Sequence, residues 1–291
     1  MLQAVVQGIL MGSVYGLIAL GLTLIFGIMR VINFGHGTFL MVAMFISYFG
    51  ITYLGLHPYL TLLIVVPAMF VIGYATNRWL IQPVLNKEQD VREPISALLL
   101  TAAISIVIEN GFLAVFKADY RVAKSSFSGE TIQLGSIIIN TPKLYAFFLC
   151  AIVTLLFYLF MNRTEMGRRI RAVGQDRNAA KLMGISVDKT FSIAFGTGMA
   201  LLGAAGVALL PFNQLYPAIG SLFGTTAFVT VVLGGLGSIP GAIIGGLLIG
   251  IVESVSSLFV PYTLSPMIVL YGFLIFLFIR PSGLFGSPHD W

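Results

Sequence analysis

Ala4-Val5-Val6-Gln7-Gly8-Ile9-Leu10-Met11-Gly12-Ser13-Val14-Tyr15-Gly16-Leu17-Ile18-Ala19-Leu20-Gly21-Leu22-Thr23-Leu24-Ile25-Phe26-Gly27-Ile28-Met29 carries no charged side chain from end to end. As an α-helix it would be about 39 Å long, against a bilayer core of about 30 Å. Gly8, Gly12 and Gly16 recur every four residues within it. Small residues at that spacing form a groove in which a neighbouring helix can lie close. Gly237, Gly241 and Gly245 repeat the spacing, with Gly246 and Gly250 beside them. Helix packing is the preferred reading; the other is that smooth glycine faces let helices slide or rock past one another.

Outward from this stretch, further apolar runs fall at 37–55, 59–80, 94–116, 143–161, 190–212, 219–237, 240–260 and 264–280. The chain therefore reads as an all-α, polytopic transmembrane helical bundle of eight or nine spans, a single domain over 1–291. It is 58% hydrophobic and 9% charged, with mean hydropathy +0.98; soluble domains are about 25% charged. This composition excludes disorder, nucleic-acid binding and a water-soluble enzyme of ordinary design. Cys150 stands alone in an apolar run, so neither an intrachain disulfide nor a cysteine metal cluster is expected. No metal site is expected elsewhere. The start, Met1-Leu2-Gln3, lacks the basic region of a cleavable leader.

Charge gives the orientation. Segments 30–36, 78–93, 162–189 and 280–291 together hold Arg30, Arg78, Lys87, Arg92, Arg163, Arg168, Arg169, Arg171, Arg177, Lys181, Lys189 and Arg280, twelve of the sixteen basic residues. Lys117, Arg121, Lys124 and Lys143 fall on the other side. The positive-inside rule puts the twelve, and the C-terminus, in the cytoplasm; nine spans place the N-terminus outside. External residues 117–142 contain Thr131-Ile132-Gln133-Leu134 and Ser136-Ile137-Ile138-Ile139 around Gly135, a pattern that suits a short hairpin as well as a plain connector.

The cytoplasmic loop 162–189 invites more than a linker. Gln175-Asp176-Arg177-Asn178-Ala179-Ala180-Lys181-Leu182-Met183-Gly184 reads as a short helix, capped at its start by Asp176 and ended by Gly184. Its apolar residues are too few to span a membrane and too many for a solvated loop, so a docking surface for a partner protein is expected. Arg177 and Lys181, four apart, are positioned to meet acids on that partner.

Two interruptions, at 32–38 and 211–221, each follow a long apolar helix and precede a Gly/Thr-containing one. Paired breaks can mark a substrate site, because unwound backbone offers free N–H and C=O groups; ordinary interfacial turns are the other reading. They contribute Asn33, Gly35, His36, Gly37 and Gly220 as pathway candidates, within a possible internal repeat with broken helices. Glu109 and Glu253 lie inside apolar runs, where a charge costs on the order of 3 kcal/mol, so both should face the bundle interior. Structural hydrogen bonding competes there with substrate contact.

The stretch Thr164-Glu165-Met166-Gly167-Arg168-Arg169-Ile170-Arg171 and its continuation to Ile185 closely resembles the loop of the branched-chain amino-acid ABC importer permeases. The resemblance continues, in the family's order, at Val31-Ile32-Asn33-Phe34-Gly35-His36-Gly37, Leu233-Gly234-Gly235-Leu236-Gly237-Ser238-Ile239-Pro240-Gly241 and Arg280-Pro281-Ser282-Gly283-Leu284-Phe285-Gly286. It implies a non-enzymatic permease of the cell inner membrane. Its implied partners are a second, homologous permease, two cytoplasmic ATPase subunits and a periplasmic substrate-binding protein. ATP and Mg would be bound by the ATPases, with no cofactor in this chain; no Gly-x-x-x-x-Gly-Lys-Ser/Thr loop occurs in it. Ala179, Ala180 and Gly184 match the Ala-Ala-x-x-x-Gly pattern of importer coupling helices, and Asn178 stands where an acid is frequent. The ATPase-coupling candidates are therefore Gly167, Arg168, Asp176, Arg177, Ala179, Ala180, Lys181 and Gly184. Branched-chain amino acids, small amides and urea all remain open as substrate. An ion-gradient-driven secondary transporter of small polar solutes is the alternative, but it would want a relay of acids or histidines that two scattered acids do not supply.

Overall fold

The computed structural model describes residues 1–87, 95–123, 129–135 and 137–286. Arg92, Lys124 and Ser136 of the sequence reading lie outside the described residues. Helices dominate: α1 (Leu2–Met29), α2 (His36–Leu54), α3 (Leu62–Thr76), α4 (Gln82–Leu85), α5 (Ile95–Phe116), α6 (Thr141–Arg163), α7 (Glu165–Gln175), α8 (Arg177–Leu182), α9 (Val187–Leu209), α10 (Ile219–Gly234), α11 (Ile239–Ser256) and α12 (Ser265–Ile279). A 3₁₀ turn at Pro58–Thr61 and a π turn at Asn77–Ile81 join α3 and α4 into one apolar stretch, Pro58–Leu85. Strands β1 (Thr131–Leu134) and β2 (Ile137–Asn140) form an antiparallel hairpin, the first of the two readings of this segment, with Ile132 opposite Ile139.

Seven of these stretches are long and apolar enough to cross a membrane, and α10 and α12 are shorter apolar helices. The molecule is a polytopic helical membrane protein. Polar punctuation decides where its helices start. Asn140, Thr164, Asp176 and Ser238 cap α6, α7, α8 and α11, each accepting from a backbone N–H of the first turn. Glycines set some of the ends. The expected 219–237 run stops as a helix at Gly234, because Gly235 (φ 102°) and Gly237 (φ 81°) take conformations that side chains resist.

Helices α1 and α9 form the buried centre, while α5 and α6 show most of their surface outward. The glycine rows close the packing, as the preferred reading has it. A Cβ on Gly12 would stand 2.8 Å from the Gly246 carbonyl oxygen, and one on Gly8 2.8 Å from that of Gly250. Helix α11 has a second glycine face, on which Gly245 meets the Thr230 carbonyl of α10.

Contacts sort the loops to two ends. At one end Gln3 exchanges hydrogen bonds with Ile138, Tyr59 donates to the Pro142 carbonyl, and Arg121 pairs with Leu215. At the other, Arg177 reaches Met29, Gln82 donates to Asp188, and Leu284 and Phe285 bond to the end of α10. The segments carrying most of the basic residues share the second end.

Candidate functional site

The loop at the basic end is two helices. Thr164 caps α7 by accepting from Gly167 N (3.0 Å), and Gly167 is pressed against the Met161 and Phe160 carbonyls at the end of α6, where a Cβ would collide. Arg171 also donates to the Met161 carbonyl. Asp176 stands in extended conformation between α7 and α8 and accepts from Asn178 N (2.8 Å) and Ala179 N (3.0 Å), the cap that the sequence announces. Gly184, at φ 79°, ends α8; Ile185 N bonds to the Ala180 carbonyl and Gly184 N to that of Lys181, the paired closure of a Schellman motif.

Two expectations for α8 change. Arg177 does not face outward. Its guanidinium donates to the Met29 carbonyl at 2.7 Å and lies 5.1 Å from the Phe191 ring centre. Burial, and secondarily the Arg30 charge, push its pKa below the usual guanidinium value. Ala180, offered by the pattern as part of the docking set, is buried within this chain, so its side chain packs under α8 and is not on the surface open to a partner. Arg168, Ala179 and Lys181 are exposed, and so are Leu182 (89%) and Met183 (81%).

The first break lies inside the bundle. His36, in the first turn of α2, is buried and its Nε2–H donates to the carbonyl of Ile18, well within α1 (2.9 Å). Before it, Asn33 Oδ1 accepts from Gly35 N at 3.0 Å, and Phe34 N donates to Thr101 of α5 at 3.2 Å. The second break meets it. A Cβ on Gly220 would stand 2.6 Å from the Gly37 carbonyl oxygen, and one on Gly224 3.3 Å from Gly37 Cα. The first turns of α2 and α10 thus cross in backbone contact, and Asn33, Gly35, His36, Gly37 and Gly220 form one neighbourhood. A leucine at Gly37 or Gly220 would first have to push the helices apart.

The two acids part company. Glu109 lies half-buried on α5, beside exposed Asn110, which bonds back to its own helix. Glu253 lines a cavity of about 340 Å³ with Tyr15, Lys143, Ser254 and Ser257. Among the described residues no cluster of three His, Cys, Asp or Glu could hold a metal ion.

A family model described as branched-chain amino acid transport system / permease component matches residues 4–279. The chain belongs to this permease family. The high-affinity branched-chain amino acid transport system permease protein LivH of Escherichia coli is 32% identical over 99% of this chain and 96% of its own length. BraD of Pseudomonas aeruginosa, of the same description, is 29% identical over the same shares. A probable LivH of Methanocaldococcus jannaschii is 28% identical over 94% of this chain and 89% of its own. No solved structure matches the chain.

Three functional residues of the permease stand outside the candidate set read from its sequence. Lys143, an external charge by its loop, lines the same cavity as Glu253; the signal for it is its place in the first turn of an apolar helix, after Asn140-Thr141-Pro142. Leu182 and Met183 are the large apolar side chains that α8 leaves uncovered.

Proposed function

We propose that the chain is the membrane-spanning subunit of an ATP-driven importer for branched-chain or related amino acids. A periplasmic binding protein delivers the solute, a second, homologous permease completes the membrane unit, and two cytoplasmic ATPases supply ATP and Mg chemistry. In this reading all nine apolar stretches pass through the membrane, with the N-terminus outside and the C-terminus in the cytoplasm. Gly167, Arg168, Asp176, Arg177, Ala179, Ala180, Lys181 and Gly184 build the coupling element. Asn33, Gly35, His36, Gly37 and Gly220 hold the crossing near the pathway, to which Glu253 also belongs.

The observation that carries this reading is the build of α8. It is capped at both ends and shows Leu182 and Met183 outward, while Arg177 fastens it to the last turn of α1. A partner seated on Leu182 and Met183 would pull on α1, the helix at the centre of the bundle, through rigid contacts. Ala180→Arg would be a poor probe, because it would unseat α8 from this chain.

The test is Leu182→Glu with Met183→Glu in the complete transporter. Both side chains are solvent-exposed, so insertion and folding should be unaffected. ATPase subunits should no longer co-purify, and substrate-stimulated hydrolysis in vesicles should fall at least tenfold. Coupled uptake at the wild-type rate would overturn the docking role of α8.

A further inference from the structure

We propose that the cavity between α1, α6, α11 and the segment after α9 is a vestibule that binds a small zwitterion, with Glu253 receiving its ammonium and Lys143 its anionic group. The inference rests on the permease reading only for which compartment the vestibule faces. In that reading it opens outside, at the end opposite α8.

The cavity holds about 340 Å³, at the lower end of small-molecule sites. It runs from Gln7 to Tyr15 along α1, roughly 12 Å of helix. Its two charged side chains come from different helices, α6 and α11. Opposite charges that line one small cavity attract each other, the more strongly the less water stands between them. These two do not close into an ion pair. Among the described residues the one direct ion pair is Arg169 with Glu165. Lys143 Nζ instead donates to Gln7 Oε1 at 3.4 Å, and Glu253 takes the Tyr15 hydroxyl as a hydrogen-bond partner. Each charge is held back by a neutral neighbour, within electrostatic reach of the other.

A ligand that bridges them must carry both signs a few ångströms apart. Met11 and Phe212, whose ring centre lies 5.9 Å from Lys143 Nζ, add apolar surface to a lining otherwise shared with Gln7, Asn213, Ser254 and Ser257. Ammonium, anion and a short apolar body describe a neutral α-amino acid. The first two also describe the headgroup of phosphatidylethanolamine.

The experiment uses the full-length chain in nanodiscs of phosphatidylglycerol alone, with radiolabelled L-leucine as the probe. Saturable binding is expected, and Glu253→Gln and Lys143→Gln should each weaken it at least tenfold. Leucinamide keeps the ammonium and 4-methylpentanoate keeps the anion. Lys143→Gln should retain the wild-type affinity for leucinamide, and Glu253→Gln that for 4-methylpentanoate, which also shows that each variant is folded. In a second arm, phosphatidylethanolamine is added and its retention followed by native mass spectrometry. Lipid retained by the wild type and lost from both variants, with leucine displaced or unbound, assigns the zwitterion to the membrane and supports the site. Absence of both ligands, or binding indifferent to both substitutions, overturns the proposal. No ATPase or binding protein is needed, so this failure would leave the importer reading untouched.

Discussion

The carbonyls of a helix's last turn lack partners within the helix and carry its negative end. At the end of α1, Arg177 meets that need from a helix far along the chain, 148 residues beyond Met29. Arg177→Ala should lower stability by about 1.5–3 kcal/mol, the range for a hydrogen bond to a charged group. Arg177→Lys should lie between the two, since an ammonium lacks the flat guanidinium that reaches Met29 and covers Phe191. Thermal unfolding in detergent measures both. The sequence showed Arg177 and Lys181 on one face of a short helix, but not which way that face turns. A helix of six residues has too little periodicity to fix its own rotation. By contrast, the Asp176 cap and the Gly184 stop were legible, because both are local backbone chemistry.

Among elements, the α1–α11 pair is the tightest test of packing against hydrophobicity. Gly246 and Gly250 let the backbones of α1 and α11 touch, whereas Gly272 on α12 has nothing within 4 Å of where a Cβ would stand. Gly246→Leu should therefore abolish the monodisperse species in size-exclusion chromatography, and Gly272→Leu should leave it unchanged. The four-residue glycine rows announced close packing but not its partners, since α11 divides its glycines between α1 and α10. Helix lengths were less legible still. Apolar residues such as Leu236 continue beyond α10, whose end is set by the backbone angles of Gly235 and Gly237.

For the whole molecule, basic residues gave the grouping of loops that the contacts reproduce. A reporter fused after Arg171 should read cytoplasmic and one after Gly129 external; the reverse for either would invert the topology. Which helices lie at the centre was not legible, because membrane helices are apolar on every side and hydropathy does not separate a lipid-facing face from a buried one. Hence the apolar runs around Glu109 and Glu253 look alike, and only the fold separates the half-buried Glu109 of α5 from Glu253, which lines the cavity.

The break before α2 also bears on the order in which the chain is made. Phe34 N bonds to Thr101, 67 residues downstream, and Thr38 to Ser105, both on α5. Unpaired backbone groups inside a bilayer cost several kcal/mol. During synthesis, α1 and α2 enter the membrane with that debt open, well before α5 leaves the ribosome, and α10 arrives later still to close on Gly37. The start of α2 therefore gains its partners in two instalments, the hydroxyls of α5 first and the glycine face of α10 last.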